Sequence, residues 1–276
     1  MVERMAREDE SEFPKTIYKY RDWKSYIHRR LLYNREIYLA SPADFNDPYD
    51  CRINDNFSLL DTDEKIHKYI DAANERNREK QAAMGQDVED FREEIFNTIK
   101  NHPVKAQRKW DSTIFKEHDL RYGIFSTSSI WNSILMWGHY SANHTGFCVG
   151  INEEKIRCSK FFGQGGRVKY PKKYPEISPL DSYDIEKMFD FSYTKVKDWE
   201  YEKEYRLLRF FPGKYPNSEE RIEKLDKSFF SEILVGVNFP QSDMDEMRRL
   251  AVLYEVPLFQ VKMVAFEFEL VRERII

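Results

Sequence analysis

The sequence predicts an α+β fold, because short strand-like segments and amphipathic helical segments follow one another without strict alternation. The chain of 276 residues is long enough for one large domain with a sizeable core. Aromatic residues make up 15% of it, and they supply the large side chains that such a core needs. We therefore expect a single α+β domain over residues 1–276, with a central mixed or split β-sheet and flanking helices.

Charge and cysteine content limit the classes of function. The formal net charge of −4 argues against attraction to nucleic acid over the whole surface, and the basic cluster 169–173 is too short to indicate such a site by itself. Cys51, Cys148 and Cys158 are odd in number and form no CxxC pair, which is typical of a reducing compartment. A charged N-terminus and the lack of any run of about 18 apolar residues predict a cytoplasmic protein without membrane association.

The N-terminal segments predict a strand, a helix and a second strand before a polar loop. The first strand is predicted over Thr16–Arg21, and a short second strand over Glu36–Leu39. The loop Phe45–Asp50 follows, in which Pro48 holds Asp47 extended. The helix between the strands is expected to have Asp22 as its cap and an apolar face made of Trp23, Tyr26, Ile27 and Leu31.

A charged helical insertion is predicted over residues 61–118. Apolar residues recur at helical spacing in two stretches between 61 and 101, and Gly85 separates the stretches. This pattern predicts a helical hairpin inserted into the domain. Its charged surface suits a cap or a binding surface for a protein partner.

Further strands and helices follow the insertion. Gly123–Ser128 predicts a strand that ends in hydroxyl groups, with its last residue or Ser129 as the cap of the next helix. Phe147–Ile151 predicts a central strand, Arg167–Tyr170 its neighbour, and Gly163–Gly166 a loose turn without the features of a phosphate-binding loop. The last predicted elements are a helix over Glu219–Lys227, a strand over Ile233–Val237, a helix from Ser242 with a capping box to Asp245, and strands over Leu258–Lys262 and Ala265–Val271.

The segment Trp199–Arg206 alternates charged and aromatic residues before two leucines. As a single strand it would place Glu202, Glu204 and Arg206 on one face. Partly buried carboxylates must be paired or used in chemistry, because desolvating an isolated charge is costly. The pattern alone leaves two interpretations open, a network of ion pairs and an acidic functional site.

Three ordered motifs resemble those of an uncharacterised bacterial family. The resemblance covers most of the chain from Tyr18 to about Gly236 without the helical insertion, and it implies no function. The motifs are Phe45–Asp50, Leu135–Tyr140 followed by His144 and Gly146, and Trp199–Arg206 with its spaced acids.

A more distant resemblance is to the ADP-ribosyltransferase fold. It lies in the order of a polar strand, a strand with a Ser-Thr-Ser end and a Glu-x-Glu segment. The resemblance implies that Arg21 contacts the ribose or a phosphate of NAD, with Lys19 on the same face, and that Ser126 and its neighbours support a nicotinamide pocket. It also implies that Glu204 binds a ribose hydroxyl and stabilises an oxocarbenium-like transition state, while Glu202 orients the acceptor.

The implied function is NAD-dependent transfer of ADP-ribose to a macromolecular acceptor, which is protein, RNA or DNA, in a toxin or anti-phage defence enzyme. Cleavage of the nicotinamide bond builds positive charge on the ribose, and a fixed carboxylate stabilises such charge. Trp137 or Tyr140 is the expected stacking surface for nicotinamide. The expected catalytic residues are Glu204 and Glu202, and the expected NAD-binding residues are Lys19, Tyr20, Arg21, Asn46, Ser126, Thr127, Ser128, Trp137, His139, Tyr140 and Arg206.

Two other classes of function remain open from the residues. One is a non-catalytic binding module, for which Glu204→Gln would cause no loss of function. Structural roles also compete for single residues, since Trp137 suits a core position and Asp47 suits an Asx turn. The other class is a metal-dependent hydrolase or nuclease. Its ligands would be Asp47, Asp50, His139, His144 and Glu204. Because the two histidines are five residues apart, they would not lie on one face of a helix.

Overall fold

The computed structural model describes residues 13–84, 88–181 and 191–276, and it has an α+β architecture. The strands are β1 (Thr16–Arg21), β2 (Glu36–Tyr38), β3 (Tyr122–Ser128), β4 (Phe147–Asn152), β5 (Gln164–Arg167), β6 (Glu204–Phe210), β7 (Ile222–Lys224), β8 (Phe230–Val235), β9 (Leu258–Met263) and β10 (Leu270–Arg274). The helices are α1 (Tyr26–Tyr33), α2 (Asp63–Met84), α3 (Val88–Asn101), α4 (Pro103–Arg121), α5 (Ile134–Tyr140), α6 (Glu153–Arg157) and α7 (Met244–Tyr254).

Eight strands form a mixed sheet in the order β10-β9-β8-β4-β1-β3-β6-β5. Neighbouring strands are antiparallel except β8 and β9, which are parallel. β4 lies in the middle of the sheet and is buried except at its last residue, which explains its continuous apolar sequence. β2 and β7 form a separate two-stranded sheet. The predicted α+β class with a central mixed sheet is confirmed.

The sheet opens between β1 and β3. β1 pairs with β4 in an unbroken register from Thr16 opposite Asn152 to Arg21 opposite Phe147. With β3, by contrast, β1 has one register pair, in which Tyr18 faces Ser128. The sheet therefore consists of a five-stranded part and a three-stranded part, with a cleft where β1 and β3 diverge.

Both faces of the sheet are covered by apolar side chains. Ile17 of β1 packs in the larger core with Val149, Leu207 and the buried side of α7, whereas Tyr18 and Tyr20 face a second core. This alternation follows from the two-residue period of a strand. Among the described residues, no helix combines the length and the apolar character that a membrane span requires.

The predicted insertion consists of three helices, α2, α3 and α4, rather than a two-helix hairpin. These helices bury a core of their own that includes Phe57, Ile66, Ile70 and Ile99. α4 ends at the residue before β3, so the insertion leads directly into the sheet. Gly85, the predicted separator, lies outside the described residues.

The first helix starts later than predicted. Asp22 accepts a hydrogen bond from the Lys24 amide at 2.8 Å and so closes a local turn, while Ser25 caps α1. The predicted apolar face is also wrong at two positions, because Tyr26 and Ile27 are exposed. Trp23, Leu31 and Leu32 are the buried residues of this region.

The glycine run forms a strand instead of a loose turn. β5 pairs with β6 at the edge of the sheet and is not a neighbour of β4, so the predicted neighbour Arg167–Tyr170 is wrong. The physical reason lies in Gly165, where a Cβ atom would stand 2.7 Å from Leu207 and 2.8 Å from the Tyr205 hydroxyl. Glycine allows this strand to lie close to the large side chains of β6.

Three C-terminal predictions need correction. The predicted helix Glu219–Lys227 contains β7, because the buried Arg221 side chain donates to backbone carbonyls such as that of Tyr122 at 2.7 Å and anchors an extended chain. The capping box is absent from α7, which follows a 3-10 turn, while Asp245 pairs with Arg248 at 2.8 Å. The last strand begins only at Leu270, after a left-handed residue in the preceding turn.

Candidate functional site

The acidic segment is a turn followed by a strand, not one strand. Lys197–Glu202 is a 3-10 helix, Lys203 is left-handed with φ 43°, and β6 begins at Glu204. Ser128 fixes this turn, since its hydroxyl donates to the Glu202 carbonyl at 2.6 Å. The two glutamates nevertheless line the same cleft, one on each side of the left-handed Lys203.

A cavity of about 170 Å³ lies where β1 and β3 diverge. Residues of β1 form one wall, and Ser126, Thr127, Glu202 and Glu204 form the opposite wall. The loop after β2 and helix α5 close the ends. Of the predicted site residues, the cleft is lined by Lys19, Tyr20, Arg21, Asn46, Ser126, Thr127, Tyr140, Glu202 and Glu204, and other lining residues include Tyr18, Phe45, Asp50, Met136 and Lys195.

The other predicted residues lie outside the cleft. Ser128 and Arg206 are fully buried beneath the carboxylate wall. Trp137 is also fully buried, where its indole N–H donates to the Trp131 carbonyl at 2.7 Å, so it belongs to the core and offers no stacking surface. His139 is exposed, and its ring lies 6.0 Å from that of Tyr201.

The carboxylate wall is held by a buried charge network of five side chains: Asp50, Lys195, Glu202, Glu204 and Arg206. Arg206 binds Glu204 with two hydrogen bonds, of 2.7 and 2.9 Å, and it binds Asp50 at 2.7 Å. Lys195 lies 2.7 Å from Glu202 and 3.3 Å from both Glu204 and Asp50. Each of the three carboxylates therefore has a cationic partner, as buried charges require.

The two glutamates differ in their electrostatic environment. Burial raises the pKa of Glu202, and the neighbouring Glu204 raises it further. Burial alone would also raise the pKa of Glu204, but Arg206 and then Lys195 outweigh it and hold that pKa far below its ordinary range. Glu202 is thus the better proton acceptor near neutral pH, and Glu204 is a permanent negative charge.

Glu202 has more unused hydrogen-bond acceptor sites than Glu204. Its two oxygens accept from the Tyr140 hydroxyl at 2.5 Å and from Lys195 at 2.7 Å. Glu204 accepts two bonds from Arg206 and one from Lys195. A carboxylate accepts about four hydrogen bonds, so about two sites remain on Glu202 and about one on Glu204.

The opposite wall carries two cations, Lys19 and Arg21. The Lys19 ammonium donates a hydrogen bond to the Ser126 carbonyl across the cleft, where β3 no longer pairs with β1. Arg21 lines the cleft, and its guanidinium makes no hydrogen bond or ion pair with the part of the chain that the structure describes. Burial lowers the pKa of Arg21 to about 10. Burial, with Arg21 as the next cause, lowers the pKa of Lys19 well below its ordinary value.

The residues of the metal hypothesis do not converge. Lys195 and Arg206 both bind Asp50 and Glu204, so positive side chains occupy the space between these carboxylates. Asp47 accepts a hydrogen bond from the Tyr49 amide at 2.9 Å, as in an Asx turn. Within the described ranges, no three His, Cys, Asp or Glu side chains are grouped as metal ligands.

Sequence reasoning missed two residues of this site. Lys195 bridges the three carboxylates although it stands outside every recognised motif. Tyr170 supports the wall from behind, since its hydroxyl accepts from the Glu204 backbone N–H at 2.9 Å. Three buried acids need more than one cation, and Arg206 is a single cation. This imbalance is the one signal that could have indicated a missing lysine.

The chain was also compared with known proteins. Neither a curated protein nor a solved structure matches it. A family model matches part of the chain: Phe45–Asp50 lies outside the matched residues, Leu135–Tyr140 lies inside them except for its first residue, and Trp199–Arg206 lies inside them. Over residues 136–207, the chain is similar to a family that is described as a protein of unknown function (DUF2971).

Proposed function

We propose that this protein is an NAD-dependent ADP-ribosyltransferase that modifies a macromolecular acceptor. The observation that carries the proposal is the opposition of two walls across one cleft, with unneutralised cations on β1 and buried carboxylates at the start of β6. By analogy with stand-alone enzymes of this class, the proposal includes a toxin or phage-defence setting.

The cationic wall suits the pyrophosphate of NAD. Arg21 and Lys19 supply the basic side chains of this wall, and neither has a carboxylate within ion-pair distance among the described residues. A partly buried cation without a counter-ion is unfavourable, so a bound phosphate would relieve the cost. Arginine is well suited to this role because its planar group binds phosphate oxygens in pairs.

The carboxylate wall suits the ribose. The network of Asp50, Glu202 and Glu204 with Lys195 and Arg206 carries three negative and two positive charges, which leaves one net negative charge. A fixed negative charge beside the ribose stabilises the positive charge that develops as the nicotinamide bond breaks. The free acceptor sites on Glu202 and Glu204 would receive ribose hydroxyls.

The proposed reaction is a substitution at the ribose carbon C1′. The bond from C1′ to the nicotinamide nitrogen breaks, and its electron pair leaves with nicotinamide. An oxygen or nitrogen of the acceptor forms the new bond to C1′ and loses its proton. Glu202 would take that proton, since its raised pKa makes it the more basic of the two acids.

The size of the cavity indicates which part of NAD it would hold. Its volume of about 170 Å³ is below the range of about 300–1,000 Å³ that is usual for whole ligands of drug size. We therefore expect nicotinamide and its ribose in the cavity, with Tyr140 beside the ring. The adenosine half would extend through the open mouth.

The test is nicotinamide release from NAD in the presence of cell lysate. Wild type should release nicotinamide, and Glu202→Gln should lose at least about a hundredfold in rate, as expected when a general base is removed. Glu200→Gln is the matched control, because Glu200 is half-exposed on the same 3-10 turn and its ion pairs among the described residues are with lysines. Release that is absent in wild type, or unchanged in Glu202→Gln, would refute the proposal.

A further inference from the structure

The edge of the three-stranded part of the sheet carries a strongly basic stretch that the proposed reaction does not use. Between residues 155 and 175 the chain has seven Lys or Arg residues and no Asp or Glu, although its net charge is −4. β5 lies in this stretch and is the outermost strand at its end of the sheet. Four of the seven, Arg167, Lys169, Lys172 and Lys173, lie at the end of β5 or just after it. Such a concentration of positive charge on a negatively charged chain indicates a partner with repeated negative charges.

This basic edge lies directly beside the carboxylate wall. The backbone N–H of Val168 donates to the Glu204 carbonyl at 3.0 Å, and the Tyr170 hydroxyl accepts from the Glu204 backbone N–H at 2.9 Å. Lys172 follows Tyr170 by two residues, a chain distance of at most about 7 Å. A ligand bound along this edge would therefore lie beside the proposed reaction centre.

The end of this basic stretch, which we define as the surface 167–174, has four cationic residues and two tyrosines among its eight residues. Tyr174 is 56% exposed, and Tyr170 is half-buried. Lys172 and Lys173 are exposed and form no ion pair with the described residues. Cations that bind phosphates, interleaved with aromatic rings on which bases stack, are typical of surfaces for single-stranded nucleic acid. A protein acceptor would not require this combination.

We infer that the surface 167–174 binds the acceptor and that the acceptor is a single-stranded nucleic acid. The inference rests on the proposed transferase function. A nucleophilic oxygen or nitrogen of a nucleotide held there would attack C1′ of the ribose, nicotinamide would leave with the electron pair of the broken bond, and the acceptor proton would pass to Glu202.

The test is fluorescence anisotropy of labelled single-stranded RNA and DNA of one sequence, without NAD. Wild type should bind at least one of the two oligonucleotides, and comparison of the RNA and DNA titrations identifies which one. In the double variant Lys172→Ala/Lys173→Ala, affinity should fall at least about tenfold, and the slope of log affinity against log salt should shrink by about 1.4, the value for two phosphate contacts on a single strand. The control Lys105→Ala/Lys109→Ala removes two exposed lysines from α4 and should change neither quantity.

Nicotinamide release by the same variants separates this inference from the proposed function. The Lys105→Ala/Lys109→Ala control should keep the wild-type rate of nicotinamide release in lysate, because neither lysine lines the cleft. The Lys172→Ala/Lys173→Ala variant should release nicotinamide more slowly, because it holds the attacking acceptor less tightly. Nucleic-acid binding without any release would overturn the transferase proposal and leave the binding surface. The inference would be overturned if wild type released nicotinamide and attached ADP-ribose to protein, but bound neither oligonucleotide. An unchanged affinity in the Lys172/Lys173 variant would overturn it as well.

Discussion

At the scale of single residues, Arg206 has the largest effect on the charges of the site. It is fully buried and binds Glu204 and Asp50 together, so it neutralises charge that the fold has removed from water. Its contacts also explain why Glu204 remains ionised while the pKa of Glu202 is raised. The two acids of the Glu-x-Glu pair therefore have different chemistry in spite of their proximity.

We predict that Arg206→Met destabilises the protein by about 3–5 kcal/mol, because it leaves two buried carboxylates short of a cation. Arg209→Met is the matched control in the same strand, where the ion pair with Glu223 is half-exposed and should contribute less than about 1 kcal/mol. Urea unfolding at neutral pH measures both variants. Equal losses in the two variants would contradict the importance of the buried charge network.

We also predict a dependence of stability on pH that comes from Glu204. Its pKa is lower in the folded protein than its ordinary value of 4.5, so ionised Glu204 stabilises the fold above that value. This contribution is lost as the pH falls below 4.5 toward the folded pKa. The variant Glu204→Gln should thus lose stability at pH 7 and show a flatter decline in acid. In urea titrations over this pH range, Glu220→Gln should follow wild type, because Glu220 belongs to an exposed ion pair.

At the scale of elements, the opening between β1 and β3 creates the cleft, and the turn after α5 supports one side of it. Gly146 in this turn packs on the end of β1, where a Cβ atom would stand 2.2 Å from the Arg21 carbonyl oxygen. Ala142, Asn143 and His144 of the same turn are left-handed, with φ between 50° and 66°. The position of Arg21 therefore depends on a close backbone contact.

Gly146→Ala should destabilise the protein by at least about 2 kcal/mol, since neither backbone can move without disturbing the sheet. Gly163→Ala should lie within about 0.5 kcal/mol of wild type, because a Cβ atom there meets nothing within 4 Å. Thermal unfolding followed by circular dichroism compares the two. A Gly146→Ala protein as stable as wild type would show that this contact does not hold β1 in place.

The elements with clear periodicity could be predicted from the sequence. β1, β4 and β9 follow from apolar or alternating patterns, and the long helices of the insertion follow from helical spacing. Elements fixed by distant contacts could not be predicted. β5 is a glycine-rich strand because it lies against β6, and β7 is extended because Arg221 is anchored by the backbone of other segments.

In the candidate site, too, some residues could be predicted from the sequence and others could not. The sequence motifs predicted that Glu202, Glu204, Arg21 and Ser126 would lie near one another, and they line one cleft. The motifs misplaced Trp137, because burial depends on the packing of α5 under β1. Lys195 was missed because it lies outside every recognised motif, although the three carboxylates that it contacts lie inside two of them. The catalytic and binding roles of all these residues stay predictions.

At the scale of the whole molecule, the two parts of the sheet supply opposite charges to the cleft between them. The five-stranded part contributes Arg21 and Lys19, and the three-stranded part contributes Glu204, with Glu202 just before it. A ligand with an anionic group and a group that develops positive charge would contact both parts. The basic surface 167–174 continues the three-stranded part outward, toward the proposed acceptor.

The central claim is that these two walls form one binding site for NAD, and calorimetric titration of the purified protein with NAD tests it most directly. Wild type should bind NAD saturably, and Arg21→Ala should weaken binding at least about tenfold, the loss of roughly one charge-assisted hydrogen bond. Lys24→Ala, which removes an exposed cation nearby, should bind like wild type. Absence of NAD binding to the wild-type protein, or equal affinity in Arg21→Ala, would contradict the account.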